Sequence, residues 1–129
     1  MKKSILMTLM LVCGMTTVFA QKPAQIKFDK TTHNFGTFSE SNPVVSCTFA
    51  FTNIGEQPLM INQAVASCGC TVPEYTKTAI QPGEKGEIKV TYNGTGKFPG
   101  HFKKSITVRT NGAVEMTRLY IEGDMTEAK

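Results

Sequence analysis

The chain has no tryptophan and only two histidines, His33 and His101. The first absence excludes the disulfide-on-tryptophan core of antibody-type domains. The second leaves little material for a Ser-His-Asp triad, because neither histidine sits in a context that suggests one. After the first twenty residues there is no long apolar run, so no membrane-spanning helix of ~20 residues is expected in the remainder. No heptad, low-complexity tract, internal repeat or helical apolar stripe appears either. The formal net charge is +4, half of it from Lys2 and Lys3, and elsewhere the two signs are interspersed. That balance argues against dedicated nucleic-acid binding.

What is present begins with an export signal. Lys2 and Lys3 precede an apolar run from Ile5 to Val12, and Val18-Phe19-Ala20 forms an A-x-A-like site, so cleavage between Ala20 and Gln21 is expected. Thr8, Gly14, Thr16 and Thr17 interrupt the run, which argues against a retained anchor. Cys13 would suggest a lipoprotein, but bulky Val12 precedes it where such sites use a small residue. A short lysine-led signal of this kind looks bacterial and directs the chain to the periplasm or the exterior. Residues 1–20 are therefore read as signal peptide and 21–129 as one domain of ordinary size. The ends of that domain, "QKPAQ" and "DMTEAK", are expected to fray.

Within the domain the apolar period is two. In "VVSCTFAFTN", Val45, Cys47, Phe49 and Phe51 alternate with polar or small residues, as in a half-buried strand. Ile88, Val90 and Tyr92 repeat the pattern, as do Phe102, Ile106 and Val108. Strands are expected near Ile26–Asp29, His33–Thr37, Val44–Asn53, Leu59–Ala66, Thr71–Tyr75, Gly86–Tyr92, Gly100–Thr110 and Ala113–Gly123. Asn111-Gly112 between two such runs predicts a type I′ hairpin. The phase slip between Met116 and Leu119 predicts a β-bulge near Arg118. "NGTGK" lacks the spacing of a phosphate loop and is read as a hairpin loop. Seven to eight short strands with turns between them imply an all-β, immunoglobulin-like antiparallel β-sandwich.

The blocks "HNFGTF", "FAFTNIGEQPLMI", "ASCGCTVPEY", "IQPGEKGEIKVTYN", "GHFKKSITVRTN" and "LYIEGD" together resemble the bacterial domain-of-unknown-function family 1573, typical of secreted Bacteroidetes proteins. The resemblance runs over nearly all of 21–129, and "SCGCT" is its most specific part. That family is similar to the sandwich domains of major sperm protein, of Hydin and of centrosomal spindle-pole proteins, and more loosely to pilus chaperones. The resemblance implies a fold and no defined activity; no cofactor is expected. Cys47 departs from its pattern.

The cysteines carry whatever chemistry there is. Without Cys13 three remain, so one must be free or pair with another molecule. Cys68–Cys70, Cys47–Cys68 and Cys47–Cys70 are all conceivable bridges. Residues two apart in a bent chain can reach the α-carbon separation a disulfide tolerates, with Gly69 permitting the bend. In an oxidising compartment the expected state is Cys68 bonded to Cys70, with Cys47 buried and reduced on the apolar face of its strand. Three functions follow. The first is an exported non-enzymatic module binding a partner protein or cell-envelope component. The second is a small thiol-disulfide redox protein using Cys68 and Cys70. The third is a periplasmic binder of copper or zinc through soft thiolates. The redox reading ranks second because no helix start accompanies the motif to lower a thiol pKa. The metal reading lacks ligands, and no metal site is assigned: His33 and His101 stand at no recognisable spacing from Cys68, and Met60, Met116 and Met125 serve equally well as apolar residues.

Overall fold

A computed structural model describes residues 22–128; the signal segment and the Ala20–Gln21 bond lie outside the described residues. Eight strands run in order: β1 (Ile26–Phe28), β2 (Thr32–Ser39), β3 (Val44–Asn53), β4 (Ile61–Ala66), β5 (Thr71–Tyr75), β6 (Lys85–Asn93), β7 (Gly100–Thr110) and β8 (Met116–Thr126). They build two four-stranded sheets, sheet A in the order β1-β3-β6-β5 and sheet B in the order β2-β8-β7-β4. The sandwich expected from the period of two is therefore present. One pairing departs from the antiparallel expectation, since β2 runs parallel to β8. Alternation reports which face a strand buries and not its direction, so nothing local could distinguish the two.

The alternating residues meet between the sheets. Phe49 and Phe51 of β3 are fully buried, as are Ile88 and Val90 of β6. Across the interface lie Ile106 and Val108 of β7 and Leu119 and Ile121 of β8, also fully buried. Register fixes the pairs within sheet A: Phe49 lies opposite Ile88, Cys47 opposite Val90 and Val45 opposite Tyr92. One polar side chain is sunk among them. Asn53, at the end of β3, is completely buried. Its Nδ2 donates to the carbonyls of Gln57 and Ile80 at 2.8 and 2.9 Å, and its Oδ1 accepts from Gly55 N at 2.9 Å and Gln25 N at 3.3 Å.

Several local expectations are corrected. Leu59 does not begin β4; it forms a bridge with Ile80, and β4 starts at Ile61. Register between β7 and β8 is unbroken through Arg118, so there is no bulge. Met116 simply occupies the outward face, one residue out of phase with Leu119. "NGTGK" joins β6 in one sheet to β7 in the other, which makes it a crossover and not a hairpin loop. Within the described residues the ends are tied down and not frayed: Ala24 and Met125 are buried, and β8 continues to Thr126.

The two-residue hairpin is also absent. Asn111 leaves the β7–β8 ladder because its side chain serves another strand connection: Oδ1 accepts from Met60 N at 2.8 Å and Nδ2 donates to Pro58 O at 3.2 Å. The loop runs from 111 to 115, and Gly112 has no positive φ. Gly112 is needed for closeness instead. A Cβ there would stand 2.7 Å from the carbonyl oxygen of Ala24. Gly112→Val should therefore destabilise by about 1–3 kcal/mol through a backbone clash, whereas a Cβ at Gly94 meets first the flexible end of Met125. Urea unfolding of the two valine variants checks this, and equal midpoints would rule it out.

Candidate functional site

β4 and β5 are the edge strands of opposite sheets on the same side of the sandwich, and "SCGCT" crosses between them. The corner is held by backbone bonds: Ser67 N donates to Ser105 O at 2.9 Å, Thr71 N to Cys68 O at 3.2 Å, and Asn93 N to Cys70 O at 2.8 Å. These anchors bring the α-carbons of Cys68 and Cys70 to 5.3 Å with their sulfurs adjacent, the arrangement of a disulfide. Both side chains are half-buried, and both sulfurs lie 3.8 Å from the buried Thr71 hydroxyl. Gly69 does not supply the bend, contrary to expectation. It has no positive φ, and a Cβ there would meet nothing within 4 Å. The turn is instead set by the two strand ends that it joins.

Cys47 stands apart on β3, separated from β5 by β6, and is free. It is half-buried and not fully buried as expected. Burial pushes its thiol up to about 11, Lys30 pulling weakly the other way. A thiol so raised is mostly protonated at neutral pH and a poor nucleophile. The residues considered for a metal do not converge. His101 pairs with Asp124 at 3.1 Å across β7 and β8. His33 lies 2.7 Å from the Lys30 ammonium, and burial, then Lys30, hold its pKa below the usual value. Met125 is buried in the core while Met116 faces solvent. Among the described residues no group of three histidines, cysteines or acids is placed to hold a metal ion.

The strand edges beside the corner differ from one another. In β5, the Asn93–Cys70 bond sets the alternation, so residues 70, 72 and 74 turn their peptide groups towards β6 and residues 71, 73 and 75 turn theirs outwards. Pro73 falls on an outward position, where it removes the middle donor of the free edge. In β4 the Ser67–Ser105 bond sets the phase, leaving the N–H and C=O of Ala64 and Ala66 pointing away from β7. No proline or lysine interrupts this edge. At the far side, β1 is only three residues long, and β2 is broken by an irregularity between Asn34 and Thr37, with Gly36 at φ 71°. Short strands, bulges and prolines are the usual protections of an edge; β4 has an irregularity between Ile61 and Gln63, but beyond it, from Gln63 to Ala66, its pairing is regular and free of proline. Sequence reading missed this edge because phase depends on register, which alternation alone does not specify.

No curated protein matches the chain by sequence. Solved structures match its fold at low identity. A protein of unknown function from Porphyromonas gingivalis W83 superposes with a TM-score of 0.69 at 13% identity, covering 85% of this chain and 50% of that one. The chain thus spans half the length of that protein. A PapD-like domain of human CEP192 matches with a TM-score of 0.66 at 9% identity, over 88% of this chain and 94% of that domain. The periplasmic chaperone SfaE matches with a TM-score of 0.55 at 12% identity, over 81% of this chain and 59% of that one. The fold is accordingly that of PapD-like sandwich domains. The sequence profile described as protein of unknown function (DUF1573) matches residues 26–125, and the chain belongs to that family.

Proposed function

We propose that this chain is an exported, non-enzymatic binding module, working in the periplasm or outside the cell after removal of residues 1–20, and that it binds an extended segment of a partner protein along β4. The observation that carries the reading is the asymmetry of the four sheet edges among the described residues: β5 is interrupted by Pro73, β1 is three residues long, β2 is broken beside Gly36, and β4, beyond its irregularity at Ile61–Gln63, keeps regular outward peptide groups at Ala64 and Ala66. An extended segment added there gains main-chain hydrogen bonds. The fold shared with a periplasmic chaperone supports both a protein partner and the compartment. The Cys68–Cys70 corner fixes the end of β4 against β5 and so holds the edge in place.

Val65 on β4 and Val72 on β5 are exposed to similar degrees, 48% and 53%, which makes them matched reporters. A photoreactive amino acid replacing Val65 should crosslink in cells to a discrete partner, and one replacing Val72 should not. Ala66→Pro should reduce the Val65 crosslink at least tenfold while leaving the fold intact, since the N–H it removes points away from β7 and bonds to nothing among the described residues. Equal yields from both edges, or a crosslink that survives Ala66→Pro, would overturn the reading. A crosslinked mass of two chains would identify a second copy in place of a foreign partner and would overturn it equally.

The same module reading makes a prediction for the corner. Replacing Cys68 and Cys70 together by serine removes a closure of a three-residue loop and should cost about 1–2 kcal/mol of stability. The parent and this variant should turn over a model disulfide substrate at indistinguishable rates. A faster parent would establish thiol-disulfide exchange and replace the module reading with the redox one.

A further inference from the structure

The outer face of sheet B beside β4 carries three rows of side chains set by register. Gln63, Arg109 and Met116 form one row, Val65, Thr107 and Arg118 the next, and Ser67, Ser105 and Tyr120 the third. An open groove of about 490 Å³ lies over them, floored by small residues and flanked by the two arginines. No acid lines it. Neither guanidinium has a carboxylate within ion-pair distance among the described residues. The nearest acid in register, Glu122, is occupied: Lys103 lies 3.9 Å from it, and Asn34 Nδ2 donates to it at 3.3 Å. Sheet A differs, because on its outer face Glu74 stands directly opposite Lys89. A face with two unpartnered guanidiniums, free hydroxyls at Ser105 and Thr107 and no anion presents donors only at its charged positions.

We propose that this face binds an acidic extended peptide segment, with Arg109 and Arg118 each engaging a carboxylate. Adjacent rows of one sheet face are two residues apart along the strand, about 6.8 Å. Side chains at i and i+2 of an extended ligand have the same repeat, so acids at alternate positions match the two arginine rows. Arginine engages a carboxylate through paired N–H donors. Thr107, in the row of Arg118, and Ser105, in the row beyond it, then donate to the ligand. The inference rests on the binding-module reading and adds the chemistry of the partner, but it concerns the face and not the edge.

The test is a calorimetric and NMR titration of the purified protein with a decapeptide alternating Glu and Thr, beside the same peptide with Gln for Glu and beside inorganic phosphate. The Glu peptide should bind, shift the amide signals of Thr107, Arg109 and Arg118, and weaken as salt is raised. Affinity should fall at least tenfold in the Arg109→Gln/Arg118→Gln variant, whose unfolding midpoint should match the parent because both side chains are exposed. The titration and the crosslinking are separate measurements: a Val65 crosslink without peptide binding would fault the face alone, and peptide binding without the crosslink would fault the edge alone, so the two failures are distinguishable. Absence of binding, equal binding by the Gln peptide, or an equal loss in Lys85→Gln/Lys89→Gln on the other sheet would overturn the proposal. Displacement of the peptide by phosphate at matching concentration would show a small-anion site instead and would overturn it too.

Discussion

Phe51→Ala is expected to destabilise the sandwich by about 3–5 kcal/mol, a large part of the roughly 5–15 kcal/mol that holds an ordinary domain together. The ring is fully buried. It lies on Gly86, the residue directly opposite in β6, so closely that a Cβ there would stand 2.5 Å from the ring tip. Phe28 of β1 meets it edge-on at a centroid distance of 5.5 Å. Removing the ring leaves a void between a glycine and the shortest strand, and neither supplies atoms to refill it. Phe49→Ala should cost a comparable amount. Urea unfolding monitored by far-UV circular dichroism measures both, and a variant with the parent's midpoint would mean that β3 has been assigned the wrong faces.

Asn53→Ala should be as damaging for a polar reason. Its amide satisfies two carbonyls and two N–H groups from three chain segments that meet at the end of β3. Alanine leaves these backbone groups without that partner, and each buried orphan costs about 1–3 kcal/mol, so a loss of about 3–5 kcal/mol is expected. Asn53→Asp separates shape from donation. The aspartate keeps the two acceptor contacts but turns an anion towards the carbonyls of Gln57 and Ile80, so its folded-state pKa must rise above the unfolded value. The variant should accordingly be weakest at neutral pH and recover part of its stability as pH falls and the carboxyl protonates. Unfolding midpoints of the three proteins at pH 7 and pH 4.5 decide the matter. An alanine variant within about 0.5 kcal/mol of the parent, as at ordinary surface sites, would remove Asn53 from this role.

Neither effect is equally visible in the sequence. Phe49 and Phe51 stand in an alternation of eight residues from Val45 to Thr52, and the bounds of β3, β5 and β7 are legible from strand runs and the turn residues that flank them. Asn53 looks like one more residue of the turn signal "NIGEQP"; its burial depends on Ile80, far along the chain. Asn111-Gly112 has the composition of a hairpin turn, yet the side chain of Asn111 is engaged by Pro58 and Met60. Local composition was overridden there by a tertiary bond. Composition is overridden in the same way near the start of the domain, where Ala24 is buried beside the 111–115 loop, whose Ala113 N donates to Ala24 O at 2.8 Å.

The functional reading divides along the same line. Cys68 and Cys70 are conspicuous as residues, and their proximity follows from spacing. Arg109 and Arg118 are not conspicuous: nine residues apart on different strands, they become neighbours only when β7 and β8 pair in register. Likewise Pro73 is legible as a strand proline, but that it closes one edge while β4 stays open requires knowing which peptide groups face outwards. Sites made of backbone phase and cross-strand rows leave no motif.

The parallel pairing of β2 with β8 has a consequence for the order in which the chain can assemble. Thr126 donates to Phe38 across 88 residues of sequence, and closing such a long-range contact is slow relative to local pairing. β3 and β6 can form the centre of sheet A before the two ends of the domain meet. Sheet B cannot follow until β8, the eighth strand in chain order, takes its place between β2 and β7. Until it docks, β2 has no neighbour and β7 has only β4, so the buried face of sheet A has no complete layer to cover it. Closure of the sandwich must therefore wait for β8, and a truncation that removes β8 deletes the middle of a sheet and not its margin.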